Sequence, residues 1–291
     1  MRANDWPQSE KMKQTNLGEW IGQAISTIKG KTEFPFVEIN AIASSILGKS
    51  KEWVISHPET SLTQAQITEL DHAVERLLSG EPLAYITRQR AFYGLDFEVN
   101  RNVLIPRPET EILVEEVIHW LEDHPNRRSM ADIGTGSGII AVTCADRFPD
   151  LRVTAIDISP DALVIARKNA DRHDVADRIE FVQNDLLTGV KKKFDIIAAN
   201  LPYIPTDTLE QLDVIKFEPR LALDGGKNGT ILINRLLEQS TENIRPGGCL
   251  FLEIQYNQGN MTSIIEGYYP HAVINILNDL ASLPRVIKIQ L

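Results

Sequence analysis

From Met130 to Ile254 short apolar runs alternate with helix-length amphipathic stretches, and this alternation limits the fold more than any other feature of the chain. Met130–Ile133, Val153–Asp157, Ile179–Val182, Phe194–Ala199 and Cys249–Ile254 have the length and apolar content of buried strands. Between them, Ile139–Arg147, Asp161–Arg172 and Ile231–Ile244 read as helices, and Ser159-Pro160 supplies an N-cap followed by proline in the first turn. Strands alternating with helices predict a parallel sheet covered on both faces. The tail, Val273–Leu277 and Val286–Leu291, predicts a final antiparallel pair of strands.

The chain before this region is organised differently. Residues 1–16 are expected to be a flexible leader. Over residues 17–88, Leu17, Trp20, Ile21, Ala24, Ile25 and Ile28 recur at helical spacing, Glu38–Leu47 reads as a second helix, and Thr63-Gln-Ala-Gln66 opens a third as a capping box. Residues 89–105 then change period, with Phe92, Gly94, Leu95, Phe97 and Val99 predicting a hairpin linker. Ile105-Pro-Arg-Pro-Glu-Thr-Glu111 holds its pre-proline residues extended, making Arg107 part of a stiff lip ahead of a helix around Ile112–Leu121. The expected layout is therefore a small helical domain, a hairpin, and an α/β domain over 106–291.

With 291 residues and a net charge of -10, the chain can hold two domains and lacks the broad basic surface that nucleic-acid binding requires. Its two cysteines, Cys144 and Cys249, sit in apolar runs and read as buried thiols. His119 and His124 lie close in sequence, but no Cys or carboxylate pattern completes a metal site. No apolar run approaches the length of a membrane span, and the polar residues 1–16 predict no signal peptide. Cytoplasm is the expected compartment, with no direct nucleic-acid partner.

Asp132-Ile-Gly-Thr-Gly-Ser-Gly138 joins the first strand of the α/β region to its first helix. Gly134, Gly136 and Gly138 permit a tight turn against which a ligand can lie on bare main chain. Ile139 stands where a dinucleotide fingerprint needs glycine or alanine, and no Gly-Lys-Ser/Thr ends the turn as in a P-loop. Asp157 closes the second strand, where a carboxylate can accept from both hydroxyls of a ribose. Asp185 follows the third, where it can accept an adenine amino group. Acidic groups at these points suit a cationic ligand without phosphate, S-adenosylmethionine, whereas in the plainer reading both aspartates only cap the helices that follow.

Asn200-Leu201-Pro202-Tyr203 follows the strand Phe194–Ala199 at the sheet edge where ligands of open α/β sheets bind. An amide nitrogen is a poor nucleophile because its lone pair is delocalised. Two fixed acceptors, the Asn200 side-chain oxygen and the Leu201 carbonyl, would orient its N–H groups, and the Tyr203 ring would limit its rotation. No general base is needed before attack on a methyl sulfonium, since the proton can leave afterwards.

In these motifs the chain resembles the bacterial release-factor glutamine methyltransferases. The resemblance runs from about residue 17 to the C-terminus. It rests on Gly80-Glu-Pro-Leu-Ala-Tyr-Ile86, Ile105–Glu111, Asp132–Gly138, Asn200–Pro205, Phe217-Glu-Pro-Arg220 and Pro284-Arg-Val-Ile287. It implies a Rossmann-like class I methyltransferase sheet carrying a small helical N-terminal domain. It also implies methylation, from S-adenosyl-L-methionine, of the glutamine side-chain amide in the Gly-Gly-Gln motif of class 1 peptide chain release factors. The implied cofactor site comprises Gly134, Thr135, Gly136, Ser137, Gly138, Asp157, Asp185 and Asn200. Asn200, Leu201, Pro202 and Tyr203 would hold the glutamine, with Asn200, Pro202 and Tyr203 as the catalytic set and the helical domain docking the release factor. Two departures stand out. Leu201 replaces the family's usual proline, and Arg88 stands where glycine is common after Tyr-Ile-Thr.

Three other readings follow from the same residues. Methylation of an exocyclic amino group of adenine or guanine uses the same Asn-Pro-aromatic core, but the acidic net charge opposes it. A non-catalytic partner-binding module would not need the intact glycine turn and Asn200. An oxidoreductase is opposed by Ile139. Arg107, Glu109 and Glu111 are expected to pair with one another or with Arg220, or to border the substrate entrance.

Overall fold

The computed structural model describes residues 15–291, apart from the side chains of Asn257, Gly259 and Asn260; the expected leader falls almost wholly outside these residues. The chain divides into two compact units, one up to Thr87 and one from Arg88 to Leu291.

The first unit is helical. Its elements are α1 (Leu17–Ile28), α2 (Pro35–Leu47), α3 (Lys51–Ser56), α4 (Gln64–Leu78) and α5 (Leu83–Thr87). Asn16 caps α1 by accepting from Glu19 N at 2.9 Å, and α1 buries Leu17, Trp20, Ala24 and Ile28 on one side. Thr63 and Gln66 form the reciprocal capping box of α4, satisfying two otherwise orphaned amides. Leu17, Trp20, Ile39, Ile42, Leu70 and Val74 meet in this unit's own apolar core. The short α3 and α5 have no counterpart in the periodicity of the sequence, because six and five residues are too few to display a repeat of 3.6.

The second unit opens with the antiparallel hairpin β1 (Gln89–Phe92) and β2 (Leu95–Glu98). It continues with α6 (Thr110–Asp123), β3 (Ser129–Ile133), α7 (Ile139–Arg147), β4 (Arg152–Asp157), α8 (Pro160–Arg172), β5 (Ile179–Gln183) and β6 (Phe194–Ala199). Then come the short α9 (Thr206–Leu209), α10 (Ile231–Asn243), β7 (Ile244–Glu253), α11 (Thr262–Tyr268), β8 (Val273–Asn278) and β9 (Pro284–Gln290). Asn169 of α8 ties down the hairpin, accepting from Glu98 N at 2.7 Å and donating to Glu98 O at 2.9 Å.

Seven strands form one sheet in the order β5-β4-β3-β6-β7-β9-β8. The five strands from β5 to β7 are parallel, and β9 and β8 complete the edge antiparallel. Side chains alternate across the sheet with the period of two that a strand imposes. Ile196, Ala198, Cys249 and Phe251 face a core shared with α6 and α7, while Ile197, Ala199, Leu250 and Leu252 face one shared with α10 and α11. Each fully buried large side chain in these layers, such as Trp120 and Phe251, contributes roughly 2–3 kcal/mol. The chain leaves β3 toward β4 and β5 on one side, then returns to place β6 on the other. The carboxyl ends of β3 and β6 therefore flank the switch point, the place where such sheets open a crevice.

Candidate functional site

At that switch point lies a cavity of about 330 Å³, within the range of small-molecule sites. Its floor is the turn Gly134–Ser137 after β3. Asp157 and Ile158 close one side, Asn184–Leu186 the next, and Asn200–Pro202 after β6 the third. Of the residues expected to hold a cofactor, Gly134, Thr135, Gly136, Ser137, Asp157, Asp185 and Asn200 line it. Gly138 lies behind the turn, where a Cβ would come within 3.2 Å of Ala166 in α8.

The turn's geometry says what kind of ligand it can take. Gly134 N and Thr135 N both donate to Ile156 O, at 2.8 and 3.0 Å, and Gly138 N donates to Thr135 O at 2.8 Å. Gly136, at φ +56, donates to Asp157 Oδ2 at 2.9 Å. These four amides are consumed within the protein, so they offer no nest for a pyrophosphate. Beneath the turn, buried Asp132 accepts from Thr135 Oγ1 at 2.6 Å and Ala141 N at 3.1 Å through Oδ2, while Oδ1 has no partner among the described residues. Burial pushes the Asp132 carboxyl up to about 7. Asp157 is also raised, chiefly by burial, with the amides of Ser159 and Gly136 opposing the shift. The donor set is thus acidic, apolar-walled and without a phosphate cradle, which fits S-adenosylmethionine. Asp185 lines the same wall half exposed, with Oδ2 held by Arg235 at 2.7 Å.

A smaller hollow of about 60 Å³ adjoins the first and shares Leu104, Arg107, Asn200, Leu201, Pro202 and Ala222 with it; Tyr203 lines only the smaller one. Asn200 donates from Nδ2 to Thr110 Oγ1 at 3.0 Å, which leaves its carbonyl oxygen outside that bond. Leu201 is buried, and its Cδ2 lies 3.0 Å from where a Cβ on Gly134 would stand. Burial raises the Tyr203 phenol well above its usual value, so it stays neutral. A strap over residues 223–229 pins this loop. Ile204 N donates to Leu223 O at 3.1 Å, and Gly225 N donates back to Ile204 O at 2.8 Å. At Gly229, φ is +70 and any Cβ would run into the Tyr203 carbonyl, so only glycine allows this approach.

The Arg107 pairing differs from expectation. Arg107 Nη2 meets Glu218 at 2.6 Å rather than Glu109 or Glu111, and Glu218 also accepts from Ile105 N at 3.1 Å. Arg220 instead reaches Asp224 at 3.0 Å, and Glu111 accepts from Tyr93 N at 2.9 Å. The reason is burial. Glu218 is enclosed and needs a cation, whereas Glu109 is partly exposed and water can satisfy it.

Thr110, Glu218 and Glu253 are polar residues of the site to which no role was assigned from sequence. Thr110 and Glu218 belonged to recognisable motifs, and Glu253 is a lone carboxylate closing the apolar run Leu250–Leu252. Cys144 and Cys249 are buried free thiols, both raised by desolvation. Among the described residues no group of His, Cys, Asp and Glu is arranged to hold a metal, and no helix is long and apolar enough to cross a membrane.

Comparison with known proteins gives this arrangement a family. The Methyltransferase small domain matches residues 109–275, and the PrmC N-terminal domain matches residues 19–87. A release factor glutamine methyltransferase of Koribacter versatilis is 38% identical, over 88% of this chain and 91% of its own length. The chain belongs to the release factor glutamine methyltransferase family. A second member, from Moorella thermoacetica, is 39% identical, over 84% of this chain and 87% of its own. Among solved structures, the 16S rRNA N2 G1207 methyltransferase of T. Thermophilus, in complex with AdoMet and guanosine, superposes with a TM-score of 0.51. That match covers 69% of this chain and 49% of the other at 15% identity, a likeness of fold alone. The family and the sheet together make this a class I methyltransferase with a helical N-terminal region, whose methyl donor is S-adenosyl-L-methionine.

Proposed function

We propose that the protein transfers a methyl group from S-adenosyl-L-methionine to the glutamine side-chain amide in the Gly-Gly-Gln motif of class 1 peptide chain release factors. The observation that carries this reading is the Asn200 amide, set between two adjoining compartments with its N–H end tied to Thr110. The larger compartment takes the donor against Gly134–Gly138, with Asp157 accepting from ribose and Asp185 facing the adenine amino group. The smaller takes the glutamine side chain against Pro202 and Tyr203. Asn200 Oδ1 and the Leu201 carbonyl accept its two N–H groups, so nitrogen faces the donor methyl in an orientation suited to in-line attack. The donor brings the electrophilic methyl on a sulfonium, and this chain orients the nucleophile and excludes water. Asn200, Pro202 and Tyr203 are the residues assigned to that task.

The helical unit over residues 17–88 is assigned to docking the release factor, the hairpin 89–105 to linking, and residues 106–291 to catalysis. The acceptor being a translation factor, the cytoplasm is the compartment of action. No direct nucleic-acid partner is assigned, in keeping with the net charge of -10.

The test is transfer of labelled methyl from S-adenosylmethionine to a purified release factor, beside a variant whose Gly-Gly-Gln glutamine is alanine. Label on the wild type alone is expected. Equal label on both would move the acceptor elsewhere in the release factor. No label on either, with cofactor binding intact, would remove the release factor as substrate.

A further inference from the structure

One face of α10 holds the wall of the larger cavity that carries Asp185. Arg235, Gln239 and Asn243 follow one another at intervals of four, so they share that face. Each reaches the segment between β5 and β6. Arg235 Nη2 meets Asp185 Oδ2 at 2.7 Å. Gln239 accepts from Leu187 N at 2.8 Å and donates to Thr188 Oγ1 at 3.1 Å, and Asn243 donates from Nδ2 to Val190 O and Lys192 O, both at 2.9 Å. The segment is also tied within itself, since Asn184 Nδ2 donates to Leu186 O and Thr188 O, each at 3.0 Å. Asn184 N donates to Asp157 O at 3.0 Å, joining this wall to the neighbouring one. Leu186 stands at φ +51, a left-handed conformation that a leucine keeps only where its surroundings fix it. Asn184, Asp185, Leu186 and Arg235 all line the cavity.

We infer that Arg235 is a specificity-determining positioning residue for the donor: by engaging Asp185 Oδ2 it leaves Oδ1 to accept the 6-amino group of adenine, and so excludes a purine with a 6-oxo group. This rests on the reading of Asp185 as the acceptor for that amino group. The terminal torsion of an aspartate is broad, so a carboxylate alone turns freely. A guanidinium bound to one oxygen ends that freedom and aims the other. An acceptor aimed at position 6 attracts an N–H donor and repels a carbonyl oxygen. Gln239 and Asn243 already anchor the main chain of the segment, so Arg235 is not required to hold it there.

Exposure sets the size of the effect. The side chains of Arg235 and Asp185 are 40% and 44% exposed, so as an ion pair they add little stability, and what the pair supplies is direction. An enclosed hydrogen-bonding site rejects the wrong partner by about 10,000-fold or more. At Asp185 water can bridge a mismatched base, so a preference for adenine over hypoxanthine of about 100-fold is expected.

The test is calorimetry of the full chain with S-adenosylhomocysteine and S-inosylhomocysteine, whose purines carry an amino and an oxo group at position 6. Wild type is expected to favour the adenosyl ligand by about 100-fold and Asp185→Ala to lose the preference. Arg235→Ala is expected to cut it to about 10-fold or less, and Arg235→Lys to recover most of it. The melting midpoint of Arg235→Ala should stay within about 2 °C of wild type, as for an exposed pair. A full preference in Arg235→Ala, with the preference lost in Asp185→Ala, would overturn the role of Arg235 and leave Asp185 as the adenine acceptor. A full preference in Asp185→Ala, or none in wild type, would remove Asp185 from the adenine site and Arg235 with it. A preference lost in Arg235→Ala together with a midpoint many degrees lower would mean that the wall collapses, which also overturns the inference.

Discussion

Arg107 and Glu218, 111 residues apart, meet at 2.6 Å beside the cavity mouth, and the Glu218 side chain is only 2% exposed. The Ile-Pro-Arg-Pro lip and the Phe217-Glu-Pro-Arg220 segment are thereby held together by one ion pair and one backbone amide. Arg107→Ala would strand a buried carboxylate. Removing one partner of a fully enclosed pair costs 3–5 kcal/mol; with Arg107 one-third exposed the expected loss is about 2 kcal/mol. Urea denaturation would measure it, and a loss below about 0.5 kcal/mol would mean that the pair is no more than a surface bridge.

Asn200→Ala removes the acceptor assigned to the substrate amide and leaves the glycine turn untouched. Turnover on release factor should fall by at least about 100-fold, as when a preorganised hydrogen-bonding group is deleted from other active sites. Calorimetry should return a nearly unchanged S-adenosylmethionine Kd. A variant turning over at the normal rate would remove Asn200 from the chemistry.

Leu201→Pro restores the residue usual in the family. Leu201 N donates no hydrogen bond among the described residues, so proline breaks none there. The loss is part of a buried leucine side chain in the core against α10, worth roughly 1–2 kcal/mol. The pre-proline restriction newly placed on Asn200 offsets some of this in loop stiffness. The variant is expected to fold and methylate, with a melting midpoint a few degrees lower. An aggregated or inactive product would mean that the Leu201 side chain is needed to seat the loop on Gly134.

Stability should fall as pH rises through the neutral range. Burial pushes Asp132 and Glu253 up to about 7 from their ordinary 3.8 and 4.5. Between those limits the folded chain holds protons that the unfolded chain has released. Their stabilising contribution is therefore complete below about pH 4 and gone above about pH 7. The lowered carboxyls of Asp213, Asp224 and Asp279 act only at the acid end of this range, where stability is lost as pH falls. The melting midpoint is expected to decline between pH 5 and 8. Glu253→Gln should flatten that decline and melt no lower than wild type at pH 8. A steeper decline in the variant would contradict the assignment.

Local chemistry made the architecture legible. Apolar runs of strand length, helical spacing at Leu17–Ile28, the Thr63–Gln66 box and the Ser159-Pro160 cap depend on neighbours within a few residues, and each appears as read. The glycine turn and Asn200–Tyr203 were visible for the same reason, since each is a contiguous motif at a strand end. The chain by itself therefore determined the sheet, its ligand-binding edge and the residue types offered there. Tertiary structure decided what those residues do to one another. Arg107 pairs with Glu218 instead of Glu109 or Glu111, Asn200 turns its N–H end to Thr110, and Glu253 accepts from Tyr203. These pairings join positions 50 to 111 residues apart, and which partner wins depends on burial, because an enclosed charge or amide must be satisfied while an exposed one is satisfied by water.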